Sequence, residues 1–259
     1  MTKAMRYVLI ALFATTGLLA GRSHADVIIK GTRVVYPASE KEVTMQLTNT
    51  GNKPMLVQVW VDDYRSEEAS PDQAKVPFTV MPALFRVEPY KGQAVRILYN
   101  KAPLPIDKES LFRVNALEVP PRVEAESGES LLKFAIRTRI KLIFRPKGLS
   151  ADGAFNAPKQ LQWSLRISED GKTPVLRVQN PTPYYVNFAN VGAKVGEKEF
   201  KGLGGMVAPG GTSEFPIKEL IGYASKGVKV QFEGTDVKVQ FEAISDIGAR
   251  MHYIQPLSS

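Results

Sequence analysis

Residues 131–146 read LLKFAIRTRIKLIFRP. Leu132, Phe134, Ile136, Thr138, Ile140, Leu142 and Phe144 fall on one side of a period-two repeat, while Lys133, Arg137, Arg139 and Lys141 fall mostly on the other. Successive side chains of a strand point to opposite faces, so the stretch reads as one half-buried β-strand. Ordinary strands run about 5 to 6 residues. This one is roughly twice that, apolar on one face and cationic on the other, and its apolar face is longer than one small domain needs.

The same period surrounds it. MLVQVWVDD alternates Met55, Val57, Val59 and Val61; AVRILYN alternates Val95, Ile97 and Tyr99; LQWSLRIS alternates Leu161, Trp163, Leu165 and Ile167. VKVQFE occurs at 228 and again at 237, separated by Gly234, Thr235 and Asp236, which reads as a hairpin. NTGNKP (49–54) and APGG (208–211) are turn signals, and no long amphipathic helix is evident. Many short strands with Gly and Pro turns predict an antiparallel sandwich or barrel. The pattern breaks at RPKGLSADGAF, residues 145–155, with about 120 residues before it once a leader is set aside and about 110 after. Each half suits one immunoglobulin-like sandwich of about 100 residues. The expected fold is therefore all-β: two tandem sandwiches over 26–147 and 148–259, the long strand being the last of the first.

Lys3 and Arg6 precede YVLIALFATTGLLAG, and Ser23, His24 and Ala25 follow as a small-residue cleavage site. Residues 1–25 therefore read as a secretory signal peptide, too short in its apolar run for a membrane anchor. Its removal takes Lys3, Arg6 and Arg22 and no acid, lowering the net charge from +8 to +5. No second apolar segment of spanning length follows, so no membrane insertion is expected after signal removal.

The chain has no cysteine, which excludes thiolate zinc sites and cysteine nucleophiles. After export one histidine remains, His252, read as a surface or structural residue because no G-x-S-x-G motif accompanies it. Asp62 with Asp63, and Glu67 with Glu68, are adjacent carboxylates. Neighbours on a strand diverge, so these are expected to be solvated charges rather than a catalytic pair. KGLGGM (201–206) lacks a phosphate-loop pattern and reads as a turn. The basic charge is moderate, no nucleic-acid motif appears, and no nucleic-acid partner is expected. The cationic face of 133–141 also has a plainer reading, since Lys and Arg on an exposed strand deter unwanted pairing.

LPIDKESLFRVNALEVPP, residues 104–121, resembles the signature of the PapD-like periplasmic pilus chaperones at Leu104, Pro105, Asp107, Lys108, Glu109, Ser110, Asn115, Pro120 and Pro121. Arg113 departs from it, the family usually having an aromatic there, and Ala116 replaces a larger aliphatic. GTRVVYPASEKEVTMQLTNTG, IKLIFRP, QNPTPYYV and ISDIGAR are also similar to the family, in family order across residues 26–255.

The resemblance implies a non-enzymatic chaperone with no cofactor, nucleotide or metal, its two domains in an L-shaped arrangement. It implies that Arg33 and Lys141, which alone would read as ordinary surface charges, bind the C-terminal carboxylate of a pilus subunit. Leu132, Phe134 and Ile136 then enter the groove of a subunit that lacks its final strand, a case of strand addition. Glu109, Arg145 and Asp246 match an interdomain charge network. The partners implied are fimbrial subunits and an outer-membrane usher, the location is the periplasm, and the short PPRVEAESGE segment goes with chaperones of rod-like pili. Self-association through the donor strand is left open. The alternatives are a secreted tandem immunoglobulin-like adhesion module and, third, a secreted hydrolase.

Overall fold

A computed structural model describes residues 26–65, 70–121, 134–168, 173–220 and 237–258. The leader, Leu132, Glu67, Glu68 and the first VKVQFE copy, with the turn after it, lie outside the described residues.

Alternation in the sequence becomes alternation in burial. β3 (Glu42–Asn49) buries Met45, Leu47 and Asn49 and exposes the residues between them. β7 (Gly92–Tyr99) does the same with Val95 and Ile97. Each strand thus supplies one apolar row, and two sheets must face each other to cover their rows. In the first half, β1 (Val27–Ile29), β3, β7 and β5 (Phe78–Met81) form one sheet in the order β1-β3-β7-β5. Opposite lies β2-β9-β8-β4-β6, made of β2 (Arg33–Pro37), β9 (Ile136–Arg145), β8 (Ser110–Val119), β4 (Met55–Asp63) and β6 (Leu84–Val87). An aromatic cluster of Tyr36, Phe78, Tyr99, Phe112 and Phe144 fills the space between them, with centroids as close as 4.6 Å for Tyr99 and Phe144.

The second half has its own core. β10 (Gln162–Ile167), β11 (Pro174–Gln179) and β15 (Thr212–Pro216) face a sheet of β13 (Lys198–Phe200), β12 (Val186–Val195), β16 (Val237–Ile244) and β17 (Arg250–Pro256), with β14 (Gly205–Val207) on β12. Trp163, Phe188, Phe215 and Phe241 pack at its centre. The two clusters of buried side chains draw on separate stretches, 27–144 and 157–243.

Two features position the cleft between the sandwiches. The first strand changes sheets: β1 pairs with β3, and β2 pairs parallel with β9. The crossing is made at Gly31, whose φ of 101° is open to glycine but strained for other residues. The connector between the halves, where the strand pattern breaks, contains the short helix α1 (Ala151–Asn156). Ser150 caps it by accepting the Gly153 N–H at 3.0 Å, so a Ser/Asp/Gly-rich stretch closes one turn and a half instead of staying irregular.

The strand that opened the sequence reading is shorter than its alternation. β9 starts at Ile136, opposite Glu118 near the end of β8, and Phe134 and Ala135 precede it with no strand partner among the described residues. Alternation makes a segment able to be a strand; only a partner's backbone groups make it one.

Candidate functional site in the interdomain cleft

Register assembles the site. Arg33 on β2 lies opposite Lys141 on β9, Lys141 opposite Arg113 on β8, and Arg113 opposite Asp62 on β4. Directly opposed residues point to the same side, so these four form a row across the outer face of the sheet.

Lys141 donates to Asn187 Oδ1 of the second sandwich, and its ammonium stands 6.0 Å from the Tyr64 ring centre. Burial, and after it the neighbouring Arg33 charge, depress its pKa to about 8. Arg33 Nη1 donates to the Ile244 carbonyl at 3.2 Å, while its Nε is buried with no hydrogen-bond partner among the described residues. Burial lowers the Arg33 pKa, opposed by Asp246. Two half-buried cations side by side repel each other, and an anion placed between them would relieve both. On the second-sandwich side, Arg33 joins Ile143, Phe155, Asn187 and Ile247 in lining a cavity of about 320 Å³.

Glu109, Arg145 and Asp246 meet. Arg145 Nε donates to Glu109 Oε1 at 2.8 Å, and its two terminal nitrogens grip Asp246 at 2.7 and 3.0 Å. Glu109 Oε2 accepts the Tyr185 N–H at 2.8 Å, and the Glu109 N–H donates to the Pro183 carbonyl at 2.9 Å. Glu109 and Arg145 are 3% and 5% exposed, so the two sandwiches are tied through charges held away from water. Burial pushes the Glu109 carboxyl up, against the pull of Arg145 and the Tyr185 N–H.

Two of the residues expected to form a donor strand, Phe134 and Ile136, lie along an open edge. β2 covers β9 only from Lys141 to Arg145, so residues 136–140 have β8 on one side and no strand on the other among the described residues. Phe134 is 69% exposed and Ile136 37%, beside the backbone groups left facing outward.

Several contributors were not expected. Asp62 is fully buried, correcting the reading of a solvated charge. It accepts from Arg113 at 3.0 Å and from Arg137 at 3.3 Å. Arg137 also donates to Asn115 Oδ1 at 2.7 Å and sits 4.7 Å over the Trp60 ring, so Arg137 is gathered into contacts rather than left as bare edge protection. Arg113, odd against the family pattern, is the ion partner that the buried Asp62 requires. Ala116 is buried in the first core. Tyr64 and Asn187, which meet Lys141, carried no signal, since nothing in the order of residues brings 64 or 187 to 141. His252 lies on the surface against Glu242 at 3.1 Å, as expected. Of KGLGGM, residues 201–204 are irregular, but Gly205 and Met206 begin β14.

Comparison with known proteins follows the same outline. Residues 26–150 match the N-terminal domain of PapD, described as a pili and flagellar-assembly chaperone, and residues 156–255 match the C-terminal domain of the pili assembly chaperone PapD. The chain is 40% identical over 239 residues to the probable fimbrial chaperone YadV of Escherichia coli, covering 91% of this chain and 92% of that one. It is 40% identical over 242 residues to the chaperone protein FimB/FhaD of Bordetella pertussis, covering 91% and 89%. The crystal structure of the Pseudomonas aeruginosa CupB2 chaperone superposes with a TM-score of 0.71 at 41% identity, over 89% of this chain and 100% of that one. The SafB chaperone of Salmonella enterica, solved in complex with the SafA pilin, gives 0.67 at 30% identity, over 92% and 99%. These likenesses favour the chaperone expectation over an adhesion module.

Proposed function

The chain belongs to the PapD-like pilus-assembly chaperones, and from that premise we propose that it captures fimbrial subunits in the periplasm by lending them a strand. The carrying observation is one alignment: the edge of 136–140, unpaired among the described residues, runs directly into the Arg33 and Lys141 pair. A subunit's terminal carboxylate, bound by the two cations, sets where its last residues lie along β9. With that end fixed, the subunit pairs with the open edge, and Ile136, Phe134 and Leu132 fill its apolar groove. Phe134 and Ala135, without a strand partner among the described residues, become strand when the subunit supplies one.

Glu109, Arg145 and Asp246 hold the second sandwich against the first, so that Asn187 and Ile244 meet the cations. They support the cleft and do not touch the subunit. Cleavage after Ala25 delivers the protein to the periplasm, and the domain boundary falls at 147/148. The captured subunit passes to an outer-membrane usher, where a better-packed strand from the next subunit replaces the lent one without ATP. No catalytic step is involved.

Co-purification tests the reading. Tagged protein is isolated from the periplasm of cells making fimbriae, beside Arg33→Ala and Lys141→Ala, and its companions are identified by mass spectrometry. A small subunit at one-to-one ratio with the native chain, lost from both variants although each stays folded, is the expected result. Subunit retained at native levels by either variant refutes the carboxylate anchor. A native chain isolated alone, while fimbriae are being made, refutes the chaperone mechanism.

A further inference from the structure

Glu118 stands where a carboxylate is costly. It lies on the core-facing row of β8 with Val114 and Ala116 and is 5% exposed. Oε2 accepts the Val27 N–H at 2.9 Å, reaching from one sheet to the first strand of the other. Oε1 is buried and has no hydrogen-bond partner among the described residues. A buried oxygen without a donor keeps its full desolvation penalty. Burial accordingly pushes the carboxyl up; the Val27 N–H opposes this and the Asp26 charge adds to it.

Asp26 is next in line. Its carbonyl accepts the Thr50 N–H at 2.6 Å and the Thr50 hydroxyl at 3.1 Å, which pins its backbone beside the end of β3. Consecutive backbone nitrogens are at most about 3.6 Å apart, so the Asp26 nitrogen is one residue's reach from the carboxylate that holds Val27. In the precursor that nitrogen is a peptide amide bonded to Ala25. Hydrolysis of this bond takes up one water, leaves a carboxylate on Ala25 and creates an ammonium on Asp26.

We propose that Glu118 is the receptor for the mature N-terminus, the Asp26 ammonium donating to Glu118 Oε1. Processing thereby supplies the missing partner and turns a buried half-satisfied carboxylate into a charge-assisted pair. The lock acts on β1, a three-residue strand that pairs with β3, and so on the segment that leads through Gly31 to Arg33. It also acts beside Ile136, which faces Glu118 at the start of β9. The inference rests on cleavage after Ala25, as in the function proposed above.

Four purified chains test it: the mature form beginning at Asp26, and the same form preceded by Gly-Ser, each with Glu118 or with Glu118→Gln. Glutamine keeps an acceptor for the Val27 N–H and removes the charge. With Glu118, the mature form should melt about 2–4 °C above the extended one, the shift expected of a single such interaction in a chain of this size. With Glu118→Gln the gap should close, and acylation of the mature amine by an amine-reactive ester should speed up severalfold. A gap of the same size in Glu118→Gln, or no gap with Glu118, overturns the lock. Should Glu118→Gln fail to fold, the Glu118 pair decides alone: a mature amine acylated as fast as the extended one overturns it. The mass of the exported protein separates the premises. An N-terminus other than Asp26 removes the cleavage site and the lock with it, whereas Asp26 without a melting gap removes the lock and leaves the chaperone function standing.

Discussion

Lys141 carries the sharpest consequence of any single residue. Its ordinary pKa is 10.5 and its folded value about 8, because burial and the Arg33 charge disfavour the ammonium. The folded chain therefore releases this proton more readily than the unfolded chain. Lys141 thus costs stability below pH 8, and the subunit-free protein should gain stability as pH rises from about 8 toward 10.5. Anion capture runs the other way. Affinity for a peptide ending in a free carboxylate should fall by up to about tenfold per pH unit above 8 and be flat below it, which calorimetry across pH 6.5–9.5 would read. An affinity that stays level through pH 9 would place the carboxylate elsewhere. Asp62 tests the row from its other end. Asp62→Ala strands Arg113 and Arg137 beside a void, and a loss of about 1–3 kcal/mol is expected in urea unfolding. Asp62 was open to the sequence as a carboxylate on a strand, but its burial was not, because that depends on Arg113 and Arg137 arriving from β8 and β9.

Among elements, β9 divides its work by what lies beside it. Over Lys141–Arg145 it is an interior strand between β2 and β8; over 136–140 it is an edge among the described residues. Phe134→Asp should leave stability within about 0.5 kcal/mol, as expected for a change outside the core, and should abolish subunit co-purification by placing a charge in an apolar groove. It is a cleaner probe than Ile136→Asp, which would set a second carboxylate opposite Glu118. Unchanged subunit yield from Phe134→Asp would exclude it from the donated strand. β2 depends on the sheet change at Gly31. Gly31→Ala forces a side chain into a φ near 101°, and a cost of about 1–3 kcal/mol is expected from the strain. Because Arg33 follows two residues later, subunit capture should weaken as well. Stability and capture both at native levels would show that the crossing tolerates alanine.

At the scale of the whole molecule, the two sandwiches have separate cores and are tied through Glu109, Arg145 and Asp246. Arg145→Ala would leave Glu109 buried and uncompensated, and such losses run to about 3–5 kcal/mol. The expected outcome is a lower unfolding midpoint, followed by two resolved transitions as the sandwiches lose their coupling. A single transition at the native midpoint would mean that the network holds nothing together. Subunit capture should fall too, although Arg145 is proposed to support the cleft rather than meet the subunit, because Lys141 and Arg33 meet Asn187 and Ile244 across that junction.

Strands, turns and the division into two halves were legible in the order of residues, because period-two burial and Gly or Pro punctuation are local physical requirements. The resemblance to the pilus chaperones was likewise carried by contiguous motifs such as residues 104–121. What the tertiary structure decided is where partners stop and start. Alternation ran on past Phe134, yet the strand begins at Ile136, since hydrogen bonding needs a neighbour that the described residues do not supply there. The meeting of Lys141 with Asn187 and Tyr64, the burial of Asp62, and the unmet oxygen of Glu118 all join residues tens of positions apart. Charge and desolvation act through space, so these contacts are set by register and packing rather than by any signal along the sequence.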